Sequence, residues 1–341
     1  MTATQNLRDR LLSIVDEFAG VRVAILGDLL VDEFIYGRIS RVSREAPVLI
    51  LEYDSTDIVP GGAGNAANNV AALGGSATAI GVAGEDEAGR RLLDTMREHV
   101  DVRSIVTHRN LTTPTKTRIL AGGVHSAKQQ VVRVDRMAGA PVPEQVRTAV
   151  ARRLSAALAR SDALLVSDYG SGLVTPALVR TAQRTLRGPG SHQPPVLVDS
   201  RYSLLKYRRM TMCTPNESEV EALLGVRIGE DSRVLERAGR TLLARTGAAG
   251  VLITRGSRGM ALFEPNRATL HIPIFGSDQI ADVTGAGDTV IATMTLALAA
   301  GGTADEAARL ANYAGGLVVM KRGTATVTAD ELKQAIRADR G

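Results

Sequence analysis

Short apolar runs alternate with amphipathic segments along almost all of this 341-residue chain. The runs at 163–167, 195–199 and 250–254 have the length of buried strands, whereas 176–186 and 233–245 show the spacing of amphipathic helices. Strands that alternate with helices form a mostly parallel sheet that is covered on both faces. Because its crossovers are right-handed, such a sheet is doubly wound. The sequence therefore predicts an α/β fold.

Two segments, about 33–55 and 112–136, interrupt this alternation with strand-like runs that have no helix between them. We expect them to pair as a small β-sheet that serves as a lid over a binding site. The chain shows no internal repeat and no low-complexity tract. We therefore expect one domain over residues 1–341, into which the two lid segments are inserted.

Composition argues against several classes of protein. Aromatic residues make up 3% of the chain, Trp is absent and the net charge is +5, so neither stacking platforms nor a strongly basic face for nucleic acid is expected. Cys213 is the single cysteine, which suits a reducing cytoplasm. No apolar run reaches the roughly 18 residues of a membrane span, and the charged N-terminal segment is unlike a secretory signal. We expect a cytoplasmic protein with no nucleic-acid or membrane partner.

The heptapeptide at 282–288, Asp-Val-Thr-Gly-Ala-Gly-Asp, carries the clearest chemical signal. Gly285, Ala286 and Gly287 have little or no side chain, so their N–H groups can approach an anion closely. The apolar run that follows predicts a helix, whose N-terminal N–H groups and dipole favour a phosphate. Asp288 could then take a proton from an attacking hydroxyl while those groups hold the phosphoryl group. The alternative is a Gly-rich turn with an acidic helix cap.

A second Gly-rich segment contains Gly61, Gly62 and Asn65 at the start of another predicted helix. The glycines admit a ligand close to the backbone, and the Asn65 amide can both donate to and accept from a polyol hydroxyl. A Gly-x-Gly-x-x-Ala spacing that begins at Gly62, with Asp86 downstream, also imitates the dinucleotide fingerprint of an NAD-dependent oxidoreductase. The segment before it is a poor strand, because Ser, Thr, Asp and Pro interrupt it.

Two further candidates lie at the carboxyl ends of predicted strands, where open α/β sheets bind ligands. Asp28 and Asp32 follow the first strand and are placed for the hydroxyl groups of a sugar. The segment from Thr254 to Gly259 follows another strand, and its alternative interpretation is a hairpin turn.

Asn216 and Glu219 stand three residues apart at the start of a predicted helix. Both can therefore face one site, with Glu219 turned towards Mg²⁺ and its water ligands. The alternative is a capping box, in which Asn216 caps the helix and Glu219 reaches back to the backbone.

In this order the segments GGAGN, NESE, TRGSRG and DVTGAGD resemble the motifs of the ribokinase/PfkB family of carbohydrate kinases. That resemblance implies a ribokinase-like fold with a β-sheet lid, ATP as phosphoryl donor and Mg²⁺ as cofactor. It makes Asp288 the general base and residues 285–287 its anion hole. Carried over residue by residue, it assigns sugar contacts to Asp32, Gly61, Gly62 and Asn65, metal and phosphate contacts to Asn216 and Glu219, and nucleotide contacts to Asn216, Thr254, Gly256, Gly259 and Asn312.

Within that family the chain is most similar to the kinases for D-glycero-β-D-manno-heptose 7-phosphate, which often form the N-terminal half of a bifunctional kinase/nucleotidyltransferase. The likeness rests on the Ser-Arg-Val-Ser and Glu-Ala-Pro segments at 40–47, and on 167–169 and 282–291. Arg44 departs from the pattern, because that group usually has Pro there. A kinase for fructose, fructose 6-phosphate or ribose is the alternative within the family, and a non-catalytic sugar-binding relative is another.

A phosphorylated substrate needs cationic partners, for which the lid offers several candidates. Arg118 and Arg133 are the first that we would test, and we add Asp168 and Asp28 as substrate contacts. A monovalent cation near Asp282 and Thr284 and a homodimer formed through the exposed lid strands complete the expectations. The full set of candidate lid cations is Arg38, Arg41, Lys116, Arg118 and Arg133.

Overall fold

A computed structural model describes residues 3–122, 128–137, 139, 141–186, 193–276, 282–321 and 323–339. The strands of the larger sheet are β1 (Arg22–Gly27), β4 (Ser76–Gly84), β5 (Ile105–His108), β8 (Ala163–Asp168), β9 (Val196–Ser200), β10 (Met212–Cys213), β11 (Gly250–Thr254), β12 (Met260–Phe263) and β13 (Leu270–Ile272). Those of the smaller sheet are β2 (Leu29–Val42), β3 (Leu49–Gly62), β6 (Thr115–Gly122) and β7 (Gln129–Arg136). The helices are α1 (Ala3–Asp16), α2 (Ala63–Ala72), α3 (Glu87–Arg97), α4 (Glu144–Leu158), α5 (Pro176–Leu186), α6 (Glu217–Leu224), α7 (Ser232–Thr246), α8 (Ala286–Ala299), α9 (Ala304–Val318) and α10 (Ala329–Ala338).

The larger sheet has the strand order β13-β12-β11-β10-β9-β8-β1-β4-β5. Its strands pair in parallel from β11 to β5, while β12 and β13 add an antiparallel edge. The alternative of a hairpin turn after β11 indicated the first of these two strands, and β13 was not predicted. Successive side chains of a strand point to opposite faces. In β1, Val23 and Ile25 pack with α1, α2, α3, α8, α9 and α10, whereas Ala24 and Leu26 pack with α4 to α7. The predicted doubly wound α/β fold is confirmed.

The smaller sheet has the order β3-β2-β6-β7 and is built from the segments in which the sequence indicated strands without helices. Strands β2 and β3 are longer than the expected 33–55 segment. Residues 123–127, between β6 and β7, lie outside the described residues. Pro60 pairs with Val31 inside β3, although the sequence suggested a break there. Pro is tolerated because β3 is an edge strand, where one side of the backbone needs no ladder partner.

None of the helices in the described ranges has the length and apolar character that crossing a membrane requires.

Candidate active site

A cavity of about 550 Å³ is lined by residues of both sheets and of α8 and α9. The carboxyl ends of β8, β9 and β11 contribute Asp168, Asp199 and Thr254, as an open α/β sheet leads one to expect. Most of the predicted site residues meet in this one cavity. They are Asp32, Gly62, Arg118, Arg133, Asp168, Asn216, Glu219, Thr254, Gly256, Gly259, Gly285, Ala286, Gly287, Asp288 and Asn312.

Asp288 lies in the first turn of α8 and is only 4% exposed. Its Oδ2 accepts a hydrogen bond from Asn65 Nδ2 at 2.8 Å, and its Oδ1 accepts one from the Tyr169 hydroxyl at 3.2 Å. Burial raises the pKa of Asp288 to about 7, even though both hydrogen bonds favour the ionised form. A carboxylate with a pKa near neutrality is suited to act as a general base.

Gly285, Ala286 and Gly287 form the turn into α8, as the sequence predicted. Gly285 has φ +79°, and a Cβ there would lie 2.6 Å from Asn65 Nδ2, so both conformation and space favour glycine. A Cβ on Gly287 would meet no atom within 4 Å. The first N–H groups of a helix have no partner within it. The Ala286 N–H donates to Val283 O at 3.3 Å. Gly285 and Gly287 line the cavity together with Asp288, so an anion can be held beside the carboxylate.

Asn65 has a different set of contacts from the one the sequence suggested. Its Nδ2 donates to Asp288, and its Oδ1 accepts from Asn69 Nδ2 at 3.1 Å. Asn69 Oδ1 in turn accepts from Thr289 Oγ1 at 2.8 Å. The Asn65 amide is thus used inside the protein, 1% exposed and outside the cavity lining. It holds the carboxylate of Asp288 rather than presenting itself to a sugar.

Asp28 and Gly61 also lie outside the lining. The Asp28 carboxylate accepts hydrogen bonds from Tyr169 N at 2.8 Å and Ser171 N at 3.1 Å, and burial raises its pKa. A Cβ on Gly61 would lie 2.3 Å from Asp32 Oδ2, so this glycine makes room for Asp32.

Asp86 caps α3 through Gly89 N at 2.8 Å and accepts a hydrogen bond from Thr113 N at 2.8 Å. Its carboxylate is therefore committed to the start of α3, not to a ribose.

The capping box at α6 is present in full. Glu219 N donates to Asn216 Oδ1 at 2.9 Å, and Asn216 N donates to Glu219 Oε2 at 3.0 Å. Both side chains nevertheless line the cavity, so the two interpretations of this motif are compatible. Burial raises the pKa of Glu219.

The segment after β11 is likewise both a turn and part of the cavity. It links the antiparallel strands β11 and β12, and Thr254, Gly256 and Gly259 face the cavity. Gly259 has φ +75°, and a Cβ there would lie 2.1 Å from Ile272 O. On the neighbouring helix, Asn312 Nδ2 donates to Pro273 O at 2.9 Å.

Among the residues that the structure describes, four cationic side chains line the cavity: Lys116, Arg118, Arg133 and Arg201. Arg118 forms an ion pair with Asp32 in which both side chains are largely buried. Arg133 Nε lies 2.9 Å from Asp135 Oδ1. Lys116 Nζ lies 5.4 Å from the centre of the Tyr169 ring, and burial lowers its pKa.

Sequence reasoning missed Asp199 and Arg201, because no motif marks the end of β9. The strand-end rule that selected Asp28 would have found both of them. Burial, with Glu219 and Asp288 nearby, holds the pKa of Asp199 well above its usual range.

Within the described ranges, no three His, Cys, Asp or Glu side chains are grouped so as to hold a metal ion. The Asp282 carboxylate accepts hydrogen bonds from Thr284 N at 2.9 Å and Gly323 N at 3.1 Å. It thereby organises the loop that leads into α8.

The arrangement is that of a ribokinase-like kinase. The chain is similar to a structure of Arabidopsis thaliana ribokinase complexed with ribose and ATP, with TM-score 0.70 and 17% identity, over 94% of this chain and 99% of that one. It is also similar to Escherichia coli phosphofructokinase-2 in complex with fructose-6-phosphate, with TM-score 0.72 and 20% identity, over 93% and 98%. At such identities the likeness establishes the fold.

The profile of the pfkB family of carbohydrate kinases matches residues 29–331, so the chain belongs to that family. It is therefore a phosphotransferase that acts on a sugar hydroxyl, with ATP as the expected donor. The hypothesis of an NAD-dependent oxidoreductase is wrong.

Among curated relatives, the Bifunctional protein HldE of Trichlorobacter lovleyi is 40% identical over 326 residues, covering 95% of this chain and 64% of that protein. The protein of the same name from Hahella chejuensis is 40% identical over 328 residues, covering 95% and 65%. The chain spans just under two thirds of the length of these relatives.

Proposed function

We propose that this kinase transfers the γ-phosphoryl group of ATP to the anomeric hydroxyl of D-glycero-β-D-manno-heptose 7-phosphate, giving the 1,7-bisphosphate. The observation that carries the proposal is that one cavity is lined by the buried Asp288 carboxylate, by the N-terminus of α8 and, among the described residues, by four cationic side chains. A plain sugar brings no anionic group to those cations, whereas a sugar phosphate brings one with which they can form charge-assisted hydrogen bonds. The similarity to proteins called HldE supports the same choice.

In the proposed reaction Asp288 accepts the proton of the anomeric hydroxyl. The freed oxygen forms a bond to the γ-phosphorus as the bond to the bridging oxygen of ADP breaks. The N–H groups at 285–287 meet the negative charge on the equatorial oxygens of the migrating group, while the attacking and leaving oxygens lie in line. Asn65 keeps the carboxylate in place throughout, because its amide is anchored by Asn69.

The nucleotide is assigned to the other part of the lining, where Thr254, Gly256, Gly259 and Asn312 lie together with Gly315 and Gly316. Mg²⁺, when bound with ATP, would supply positive charge that offsets the negative charge developing during the transfer. The residues present suit it as an ion held through water by Asn216 and Glu219, since a ligand cage made by the protein alone is absent from the described ranges. A monovalent cation near Asp282 and Thr284 stays a prediction.

We further propose a cytoplasmic homodimer formed through the small sheet. Its strands and the loop between β2 and β3 expose many apolar side chains, and β3 and β7 are its edge strands. Exposed edges and apolar faces favour pairing with a second copy. The exposed apolar side chains are Ile39, Val42, Val48, Leu49, Tyr53, Val131, Val132 and Val134.

The substrate proposal is tested by a coupled ATPase screen over heptose 7-phosphate, free heptose, fructose 6-phosphate, fructose and ribose. Loss of two charged hydrogen bonds at about 1.5–3 kcal/mol each predicts a preference for heptose 7-phosphate over free heptose of at least roughly a hundredfold in kcat/KM. Equal use of the free sugars would contradict the heptose phosphate proposal and leave only the broader sugar kinase.

Variants of Arg133 and Arg38 test whether a cation in the cavity causes the preference for the phosphorylated sugar. Both are about half exposed on the small sheet and each pairs with an aspartate, but Arg133 lines the cavity and Arg38 lies outside its lining. Arg133→Gln should shrink the preference for the phosphorylated sugar, whereas Arg38→Gln should leave it unchanged. Arg118 is less informative, because its removal would leave Asp32 buried without a partner.

A further inference from the structure

Tyr169 is a polar contact of the proposed base that none of the motifs assigned. Its hydroxyl donates to Asp288 Oδ1 at 3.2 Å, while Asn65 Nδ2 occupies Oδ2 at 2.8 Å. Each carboxylate oxygen therefore receives one donor, from two different parts of the chain. Two donors on two oxygens fix the plane of a carboxylate, since rotation about its Cβ–Cγ bond breaks both hydrogen bonds.

The backbone of Tyr169 is itself fixed by two buried carboxylates. Asp28 Oδ2 accepts from Tyr169 N at 2.8 Å and from Ser171 N at 3.1 Å. Asp168 Oδ1 accepts from Gly170 N at 3.0 Å. Gly170 has φ +85°, a conformation that glycine adopts without strain. Three backbone N–H groups of the turn after β8 are thus bound to buried carboxylates, and from this turn the Tyr169 hydroxyl reaches Asp288.

We propose that Tyr169 is a positioning residue for Asp288, and that Asp28 acts on the same carboxylate by holding the Tyr169 backbone. The inference rests on the proposed role of Asp288 as the base. Tyr169 keeps the carboxylate turned so that a lone pair faces the acceptor hydroxyl, and its hydrogen bond favours the ionised form that can take the proton. Asp28 was expected from the sequence to contact the sugar. It lies outside the cavity lining and instead accepts a hydrogen bond from Tyr169 N.

Several charged and titratable groups around Asp288 also affect its pKa, so the test must change only the hydrogen bond from Tyr169. Asp32 and Asp199 oppose its ionisation, and Lys116 and the Tyr169 hydroxyl favour it. Removing the Tyr169 hydroxyl leaves the three charged groups in place. The resulting change in the acid limb of the kcat/KM profile therefore reports the hydrogen bond itself.

The test is the pH profile of Tyr169→Phe, which keeps the ring in the cavity wall. The acid limb should move to higher pH by about 0.5–1 unit, and kcat at pH 6.5 should fall by about 3- to 30-fold with KM for the sugar phosphate within about twofold. An unmoved acid limb overturns the proposal. So does a rise in KM alone, because that result would make Tyr169 a substrate contact.

Tyr313→Phe is the matched control. The Tyr313 hydroxyl also donates to a carboxylate, Asp339 Oδ2 at 2.6 Å, but both residues lie outside the cavity lining and away from the turn after β8. This variant should lose stability while its acid limb stays at the wild-type pH. An equal shift in both variants would overturn the inference, because it would indicate a general loosening of the site.

Asp28→Asn, alone and combined with Tyr169→Phe, tests the proposal that Asp28 acts on Asp288 through the Tyr169 backbone. If Asp28 acts through Tyr169, the two losses in kcat are not additive, and the double variant resembles the weaker single variant within about threefold. Full additivity overturns the proposed role of Asp28. Asp288→Asn separates this inference from the one on which it rests: if that variant stays active, the base is wrongly assigned, whatever Tyr169 does.

Discussion

Asp288→Asn should remove activity and stabilise the protein, and the stabilisation should depend on pH. The carboxylate is 4% exposed, and burial raises its pKa from 3.8 to about 7. A raised pKa means that the folded protein keeps a proton that the unfolded chain has lost. The contribution of the protonated Asp288 carboxyl to the free energy of unfolding is therefore complete below about pH 4. It is lost as pH rises through about 7. Asn carries no charge at any pH and escapes this loss.

The magnitude follows from the two pKa values. A shift of about three units corresponds to about 4 kcal/mol at pH well above 7, as an upper limit. Between pH 5 and pH 8, the interval in which most of the change falls, the advantage of Asp288→Asn in free energy of unfolding should grow by about 2.5 kcal/mol. Over the same pH range, the kcat of Asp288→Asn should be about 10²- to 10⁴-fold lower than that of the wild type, because Asn cannot accept the proton.

Urea denaturation at pH 5, 6.5 and 8 measures the stability difference, and the coupled assay measures kcat. Asp162→Asn is the control, because Arg22 lowers the pKa of Asp162, so its contribution is constant throughout this range. A difference for Asp288→Asn that does not grow with pH would refute the argument from burial. Activity within a few-fold of wild type would refute the assignment of the base.

Two further predictions concern the nucleotide side and the small sheet. Glu219→Gln can still accept the Asn216 N–H, so the melting temperature should change by less than about 2 °C while activity and Mg²⁺ dependence suffer. A sharp drop in melting temperature with normal kinetics at saturating Mg²⁺ would leave Glu219 as a cap only. Val132→Lys should halve the mass measured by light scattering, whereas Val226→Lys, on an exposed loop outside the small sheet, should not. A wild-type monomer would contradict the proposed dimer.

Local rules predicted well wherever they act within one element. The predicted bounds of α5 and β11 match the structure, and α6 begins directly after Asn216, as predicted. A Pro start, a short β-rich run and a capping box are each encoded in neighbouring residues. The extent of β3 was not predictable in this way. Its last residues, including Pro60, are extended because β2 pairs with them, and that partner lies elsewhere in the chain.

In the site, too, local features were predicted, whereas contacts between distant parts of the chain were not. Motif spacing and the family resemblance indicated most of the residues that surround the cavity, but not where each polar atom points. Asn65 was expected to face a sugar and instead faces Asp288, because the packing of α2 against α8 brings the two side chains together. Arg201 had no motif around it, so only the end of β9 could have indicated it.

The fold separates the chemistry of the site from its selectivity for charge. The proposed base and anion hole belong to α8, whose Asp288 carboxylate is held by Asn65 from α2 and by Tyr169 from the turn after β8. Three of the four cations come instead from the strands of the small sheet, whose outer side chains are exposed. A change such as Arg133→Gln can therefore alter which sugar is accepted without moving the carboxylate that removes its proton. The acid limb of the pH profile should then be the same for Arg133→Gln and wild type, even where their substrate preferences differ.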